Sequence, residues 1–151
     1  MKRSTTAVVV ALALGVAAGT VFAQMKPEQM VKQRQAVMTL QGKYFGPMAA
    51  MAQGKAPYNA DVVKRNAAYL DNLSRMAWDG FDAGTKDVKS AALPAIYEHT
   101  DKFKEAASRL ENEAHKLYQV AQSGDEAAVK AQIGAVGKSC GACHNDFRQK
   151  Q

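Results

Sequence analysis

Near the C-terminus, Val129, Ile133, Val136, Cys140, Cys143 and Phe147 step by 4, 3, 4, 3 and 4 along the chain. A helix that buries one stripe against several neighbours has that spacing, and a strand, with its period of two, does not. The seam also carries the 2 cysteines of the 151-residue chain, in the group Cys140-Gly141-Ala142-Cys143-His144. Whatever packs on this segment has to leave room for two thiols and an imidazole.

Three earlier segments show the same periodicity. Pro27 to Ala52 reads as a first helix, with Pro27 at a start position where its missing N–H costs nothing. Val31, Met38, Phe45 and Ala49 form its stripe, and Arg34 and Gln35 share that face. Gly46-Pro47 is expected to kink or loosen it near its end. After a "GKAPYN" loop, Asn59 caps a second helix from Ala60 to Ala77, with Val63, Tyr69 or Leu70, Leu73 and Met76 as its apolar positions. Trp78 to Leu93 holds glycines and no sustained period, so it forms the one long connection. The third helix runs from Pro94 to Gln122 on Ile96, Phe103, Leu110, Leu117 and Val120, and Ser123-Gly124 ends it. Asp125 caps the fourth, with Glu126 favourable in its first turn. No strand-like alternation competes. The fold class is all-α, an antiparallel up-down-up-down four-helix bundle.

Residues 1–23 stand apart from that fold. Lys2 and Arg3 precede an unbroken apolar run from Ala7 to Gly15 and on to Ala18, and Val21-Phe22-Ala23 supplies a cleavage site. This is the build of a secretory signal peptide, shorter than the roughly 20 apolar residues a spanning helix needs. Residues 24–151 then form one exported domain, expected in the periplasm and off the membrane once the leader is removed. Without Lys2 and Arg3 the domain keeps 18 basic against 14 acidic side chains. Both signs interleave along the chain. A nucleic-acid role would want a concentrated basic stripe with interleaved aromatics, which is missing. The surface reads as solvated and mildly basic, suited to acidic partners.

Export changes the meaning of the cysteines. A Cys-x-x-Cys disulfide closes a very short loop and constrains the unfolded chain little. A thioredoxin-like redox pair sits at a strand-to-helix turn, and no strand is at hand. Zinc wants a closed set of four ligands, whereas Cys140, Cys143 and His144 make three. His99 and His115 lie on another helix and read as surface residues. Covalent haem attachment uses the whole group: two thiols add across the haem vinyl groups, and the adjacent His144 points an imidazole nitrogen at the iron as proximal ligand. A bundle interior is a natural place for a flat porphyrin. The cofactor expected is one haem c per chain, held by two thioethers.

With these residues in view, the domain resembles cytochrome c prime, a class II c-type cytochrome of the bacterial periplasm, from Gln24 to Lys150. The stretches "KPEQMVKQRQAVMTLQ", "GKAPYNA", "MAWDGFDAGT" and "GAVGKSCGACHNDFR" carry the likeness, in this order. The resemblance implies that Arg34 and Gln35 lie near a haem propionate, where a guanidinium pairs with carboxylate. It implies that Trp78 and Phe81 wall the pocket and that Arg148 lies beside the proximal imidazole, with Phe147 packing on that side. It also implies a homodimer formed through the first two helices, toward which the sequence itself offers only spare apolar residues such as Met30 and Met51. Met30, Met48, Met51 and Met76 are most simply core or interface positions.

Function then turns on the far side of the iron. Met38 is on the inner stripe of the first helix, where its thioether could bind iron or simply cover it. In the family the matching position is an apolar or aromatic cover over a five-coordinate, high-spin iron that binds nitric oxide or carbon monoxide. Low-spin relatives instead use a methionine of this region as a sixth ligand. Two readings stand: a gas-binding haem protein that also passes electrons to a periplasmic redox partner, or a six-coordinate electron carrier with His144 and Met38 as axial ligands. An enzyme would want acid–base groups where the stripe offers Met38 and Phe45. A purely structural bundle leaves the cysteine–histidine group unexplained.

Overall fold

The computed structural model describes residues 25–150. The leader read at residues 1–23 lies outside the described residues. Four long helices carry the fold: α1 (Pro27–Ala52), α2 (Ala60–Ser74), α4 (Thr100–Ser123) and α5 (Glu126–Phe147), with a single turn, α3 (Ala95–Glu98), before α4. Among the described residues there is no strand, only an isolated antiparallel bridge between Ala92 and Arg148.

The ends of the helices follow their capping chemistry. Asn59 Oδ1 accepts from the Val62 N–H at 3.0 Å, and Asp125 Oδ1 accepts from the Ala128 N–H at 3.0 Å. Each side chain takes up a donor that the first turn would leave unpaired. Gly124, with φ of 79°, closes α4 in the left-handed conformation that suits glycine. α1 begins at Pro27 as the sequence implies and continues through Gly46-Pro47 to Ala52.

Two segments differ from the sequence reading. α2 stops at Ser74 rather than Ala77, because the Arg75 and Met76 N–H groups reach back only three residues, to Asn72 and Leu73. That tightened turn brings Ala77 into the interior, wholly buried. The third helix is broken at His99, whose backbone (φ −123°, ψ 54°) is not helical. Tertiary contacts impose the break. Leu93 N–H bonds to Phe147 O at 3.0 Å and Gln149 N–H to Ala91 O at 2.8 Å, tying this chain segment to the end of α5, and Ile96 is buried against Phe103 and Phe147.

α1 packs on α2 and α5, and α4 packs on α2 and α5, the cyclic contact order of an up-down-up-down bundle. Polar cross-braces join neighbours: Gln41 Nε2 donates to Leu73 O and Asn66 Nδ2 to Tyr44 O between α1 and α2. Gln132 Nε2 donates to the Glu113 carbonyl and carboxylate between α4 and α5.

The apolar interior comes in two parts. An aliphatic cluster, with Met48, Leu70, Leu117, Val129, Ile133 and Val136 at its centre, closes one end of the bundle. A smaller aromatic cluster of Ile96, Phe103 and Phe147 closes the other. Met51 belongs to the first cluster at 8% exposure, so of the core and interface readings the structure takes core. Met76 is exposed and Met30 half-buried.

Candidate functional site

Between the two clusters lies a cavity of about 560 Å³. That size falls in the range of roughly 300–1,000 Å³ seen for small-molecule and cofactor sites. Cys140, Cys143, His144, Phe147 and Arg148 of α5 line it, facing Arg34, Gln35, Met38 and Phe45 of α1, with Trp78 and Phe81 from the long connection. Every site residue singled out from the sequence is therefore on this one wall or another of the cavity. Among the described residues, no group of three or more His, Cys, Asp and Glu side chains gathers as a metal cluster.

On α5 the two thiols are half-buried and unbridged. Burial pushes the Cys143 thiol up to about 11, with Cys140 and Asp146 adding to the effect. Burial raises the Cys140 thiol as well. Burial thus favours the neutral thiol over the thiolate at both positions. Desolvation lowers the His144 imidazole, and the nearby Arg148 charge lowers it further. The neutral ring keeps the lone pair that a metal ligand needs. Arg148 itself is held by its N–H bond to His144 O at 3.2 Å and by the bridge to Ala92.

The α1 wall divides by chemistry. Met38 and Phe45 are half-buried and give it an apolar stretch. The Phe45 ring is seated against α5 where Gly137 leaves space: a Cβ there would lie 3.3 Å from Phe45 Cζ. Gln35 is exposed at the rim. Arg34, only 3% exposed, donates to Gly80 O, to Thr85 Oγ1 at 3.1 Å and to Ser90 Oγ at 2.9 Å. Its guanidinium also lies 4.3 Å from the Phe81 ring centroid. Gly80 is required here, because a Cβ would sit 2.6 Å from Arg34 Cβ.

The aromatic side is continuous. Phe103 meets Phe147 edge-on at 5.3 Å, Phe81 at 4.9 Å and Trp78 edge-on at 6.0 Å. Such geometries favour aromatic pairs beyond simple burial. The sequence reading marked Phe103 and Leu110 as helix-stripe residues without giving them to the site, and it missed Ser90 to Ala92 altogether. Periodicity could have offered the first two, since they share a stripe with the core. Nothing in the residues 90–92 signals a wall, because their place is set by the bridge to α5. His99 is exposed, and His115 Nδ1 lies 3.2 Å from Asp71 Oδ2 on the bundle exterior.

The residues fit a haem by two further signs. Trp78 Nε1 is a buried donor with no partner among the described residues, and buried donors are seldom left so. Arg34 is a buried cation, and among the described residues no carboxylate pairs with it. An apolar slot bordered by an unpaired indole N–H and an uncompensated guanidinium suits a flat apolar molecule bearing carboxylates.

A helical bundle with a Cys-x-x-Cys-His group facing such a slot belongs to the c-type haem proteins. The family model described as Cytochrome C' matches residues 29–148. The chain belongs to the cytochrome c' family, and its prosthetic group is covalently attached haem c. It is 38% identical over 126 residues to cytochrome c' of Rubrivivax gelatinosus, covering 83% of this chain and 98% of that one. Cytochrome c prime from Shewanella frigidimarina superimposes with a TM-score of 0.81 at 30% identity, over 84% of this chain and 99% of its own. A nitric oxide complex of a variant of cytochrome c prime from Alcaligenes xylosoxidans gives a TM-score of 0.76 at 38% identity, over 83% and 98%. A variant of that Alcaligenes protein has also been solved with carbon monoxide bound.

Proposed function

We propose that this chain is a periplasmic haem protein that takes small diatomic gases, nitric oxide and carbon monoxide, at a five-coordinate, high-spin iron, and also passes single electrons. The observation that carries the reading is the meeting of Cys140, Cys143, His144 and Met38 on one cavity. The nitric oxide and carbon monoxide complexes of similar proteins support it.

When bound, haem c would supply an iron that changes oxidation state by one electron and takes up a small diatomic gas. Cys140 and Cys143 would hold the macrocycle through thioethers and so fix it against α5. His144, neutral and one residue beyond the second anchor, would give the proximal nitrogen. Arg148 would modulate that imidazole, and Phe147 packs behind it. Met38, on the α1 wall facing His144 across the cavity, would exclude bulky ligands and water while yielding to a two-atom gas. Gln35, the Arg34 guanidinium and the Trp78 indole are the donors available to propionates. No acid–base group stands with Met38 and Phe45, so no turnover is assigned to the site.

Among the described residues no helix is long and apolar enough to cross a membrane. Export by the leader at residues 1–23 would place the protein in the periplasm. Homodimerisation through α1 and α2 is the expected assembly, and Leu40 and Tyr69, 38% and 45% exposed, offer apolar surface on those helices.

The test is spectroscopic. The exported protein should give a pyridine haemochrome of the two-thioether type, a high-spin ferrous spectrum, and ready uptake of carbon monoxide. A low-spin ferrous spectrum that becomes high-spin in Met38→Ala would instead establish the six-coordinate carrier with His144 and Met38 as ligands. The Met38 thioether on the cavity wall is what keeps that second reading in view.

A further inference from the structure

Thr85 is wholly buried although it lies in the long connection, and its hydroxyl has four polar neighbours, of which the Gly80 carbonyl at 3.5 Å is the most distant. Arg34 Nη1 is 3.1 Å away, Asp82 O 2.7 Å and the Tyr97 hydroxyl 2.9 Å. The proton assignments follow from valence. A guanidinium only donates, so Thr85 Oγ1 accepts from Arg34. The one Thr85 proton goes to the close Asp82 carbonyl, which leaves Tyr97 to donate its proton to Thr85. Ser90 Oγ accepts the second guanidinium arm at 2.9 Å. Arg34 is thus gripped by a carbonyl and two hydroxyls, all neutral.

That neutrality matters. An aspartate in place of Thr85 would hold the guanidinium equally well and cancel its charge. Asp79, Asp82 and Asp87 are close in sequence, yet all three side chains are exposed and none pairs with Arg34. The grip fixes a full positive charge on the cavity wall without neutralising it. A fixed charge in a water-poor site acts more strongly than the same charge in solvent.

We propose that Thr85 and Tyr97 are positioning residues which hold Arg34 beside the haem as a cation that no carboxylate of the described residues neutralises, and thereby raise the haem's reduction potential. The inference rests on the haem reading of the site. Adding one electron lowers the charge at iron by one unit, so a nearby cation favours the ferrous form, and releasing that cation to solvent favours the ferric form. The electron comes from the redox partner, or from the electrode in the test.

The experiment is spectroelectrochemical titration of the exported holoprotein, with pyridine haemochrome and helical circular dichroism as controls. Thr85→Val keeps the shape but removes the acceptor. It should lower the midpoint potential, so that at fixed ambient potential the reduced-to-oxidised ratio falls on the order of threefold or more. Thr85→Ser should restore the wild-type value. Tyr97→Phe should shift the potential the same way by less, and it carries the test if Thr85→Val fails to fold. A purely structural role would lower the resistance to urea in these variants and leave the potential unchanged. An unchanged potential in a folded, haem-loaded Thr85→Val, or in Tyr97→Phe where that variant carries the test, overturns the proposal. Absence of covalent haem in the wild type would overturn the underlying haem reading, and it is seen before any variant is made.

Discussion

Replacing Gly80 with alanine tests the closest approach in the site wall. The added Cβ would lie 2.6 Å from Arg34 Cβ, 3.0 Å from Met30 O and 3.2 Å from Arg34 Cδ. Two of those atoms belong to the body of α1 and cannot swing aside as a side-chain tip would. The Trp78–Phe81 turn must therefore retreat, which stretches the bond from Arg34 to Gly80 O and loosens the stacking of Phe81 on the guanidinium. Overpacking of this kind costs about 1–3 kcal/mol. A weakened hydrogen bond to a charged donor adds roughly 1–2 kcal/mol. Taken together, Gly80→Ala should lose about 3 kcal/mol. For a domain of this size the melting temperature would fall by roughly 10 °C. Urea unfolding of the holoprotein, followed by circular dichroism and by haem absorbance, measures it. A loss below about 0.5 kcal/mol with unchanged slope would refute the claim that this contact is close-packed.

Gly134 gives the opposite sign, because a Cβ there meets nothing within 4 Å and the residue lies inside α5. Gly134→Ala should gain about 0.5–1 kcal/mol by restricting the unfolded chain, read from the same urea curves. Leu117→Ala, at a wholly buried position of the aliphatic cluster, should cost about 3–5 kcal/mol in the same assay. Asp125→Ala removes the cap on α5 and should cost about 1 kcal/mol, whereas Asp125→Asn should be nearly neutral in thermal melts.

Much of the bundle was legible because its signals are local. Pro27, Asn59, Gly124 and Asp125 act on their own turns, and each marks the boundary found. The cavity residues were legible in kind, since Met38 and Phe45 share the α1 stripe with Val31. What a stripe lacks is depth along the bundle axis. Met48 and Met51 follow the same inward spacing as Met38, yet they fill the aliphatic cluster while Met38 borders the cavity. Arg34 shows a second limit. Periodicity placed it inward, but its partners come from 46 to 56 residues away, and no local pattern encodes them. The break at His99 and the wall at Ser90 to Ala92 are likewise imposed by the end of α5.

The spacing of the cysteines takes on a structural meaning once the two clusters are separated. Cys140 packs with the aliphatic cluster and Cys143 with the aromatic one, so the pair straddles the boundary between them. Trp78 packs against both. A haem anchored at both thiols would join two half-cores that otherwise share few apolar contacts. Cys140→Ala/Cys143→Ala, which cannot attach haem, should therefore lose order unevenly. The aliphatic half keeps its own contacts from α1, α2, α4 and α5, while the aromatic half is small and leans on a tie between residues 91–93 and 147–149. Native-state hydrogen exchange should show protection retained at Leu117 and Ile133 and reduced at least tenfold around Ile96, Phe103 and Phe147, a local loss of about 1.4 kcal/mol or more. Equal loss of protection in both halves would show a single cooperative core, and the view of the haem as the joint between two half-cores would fail.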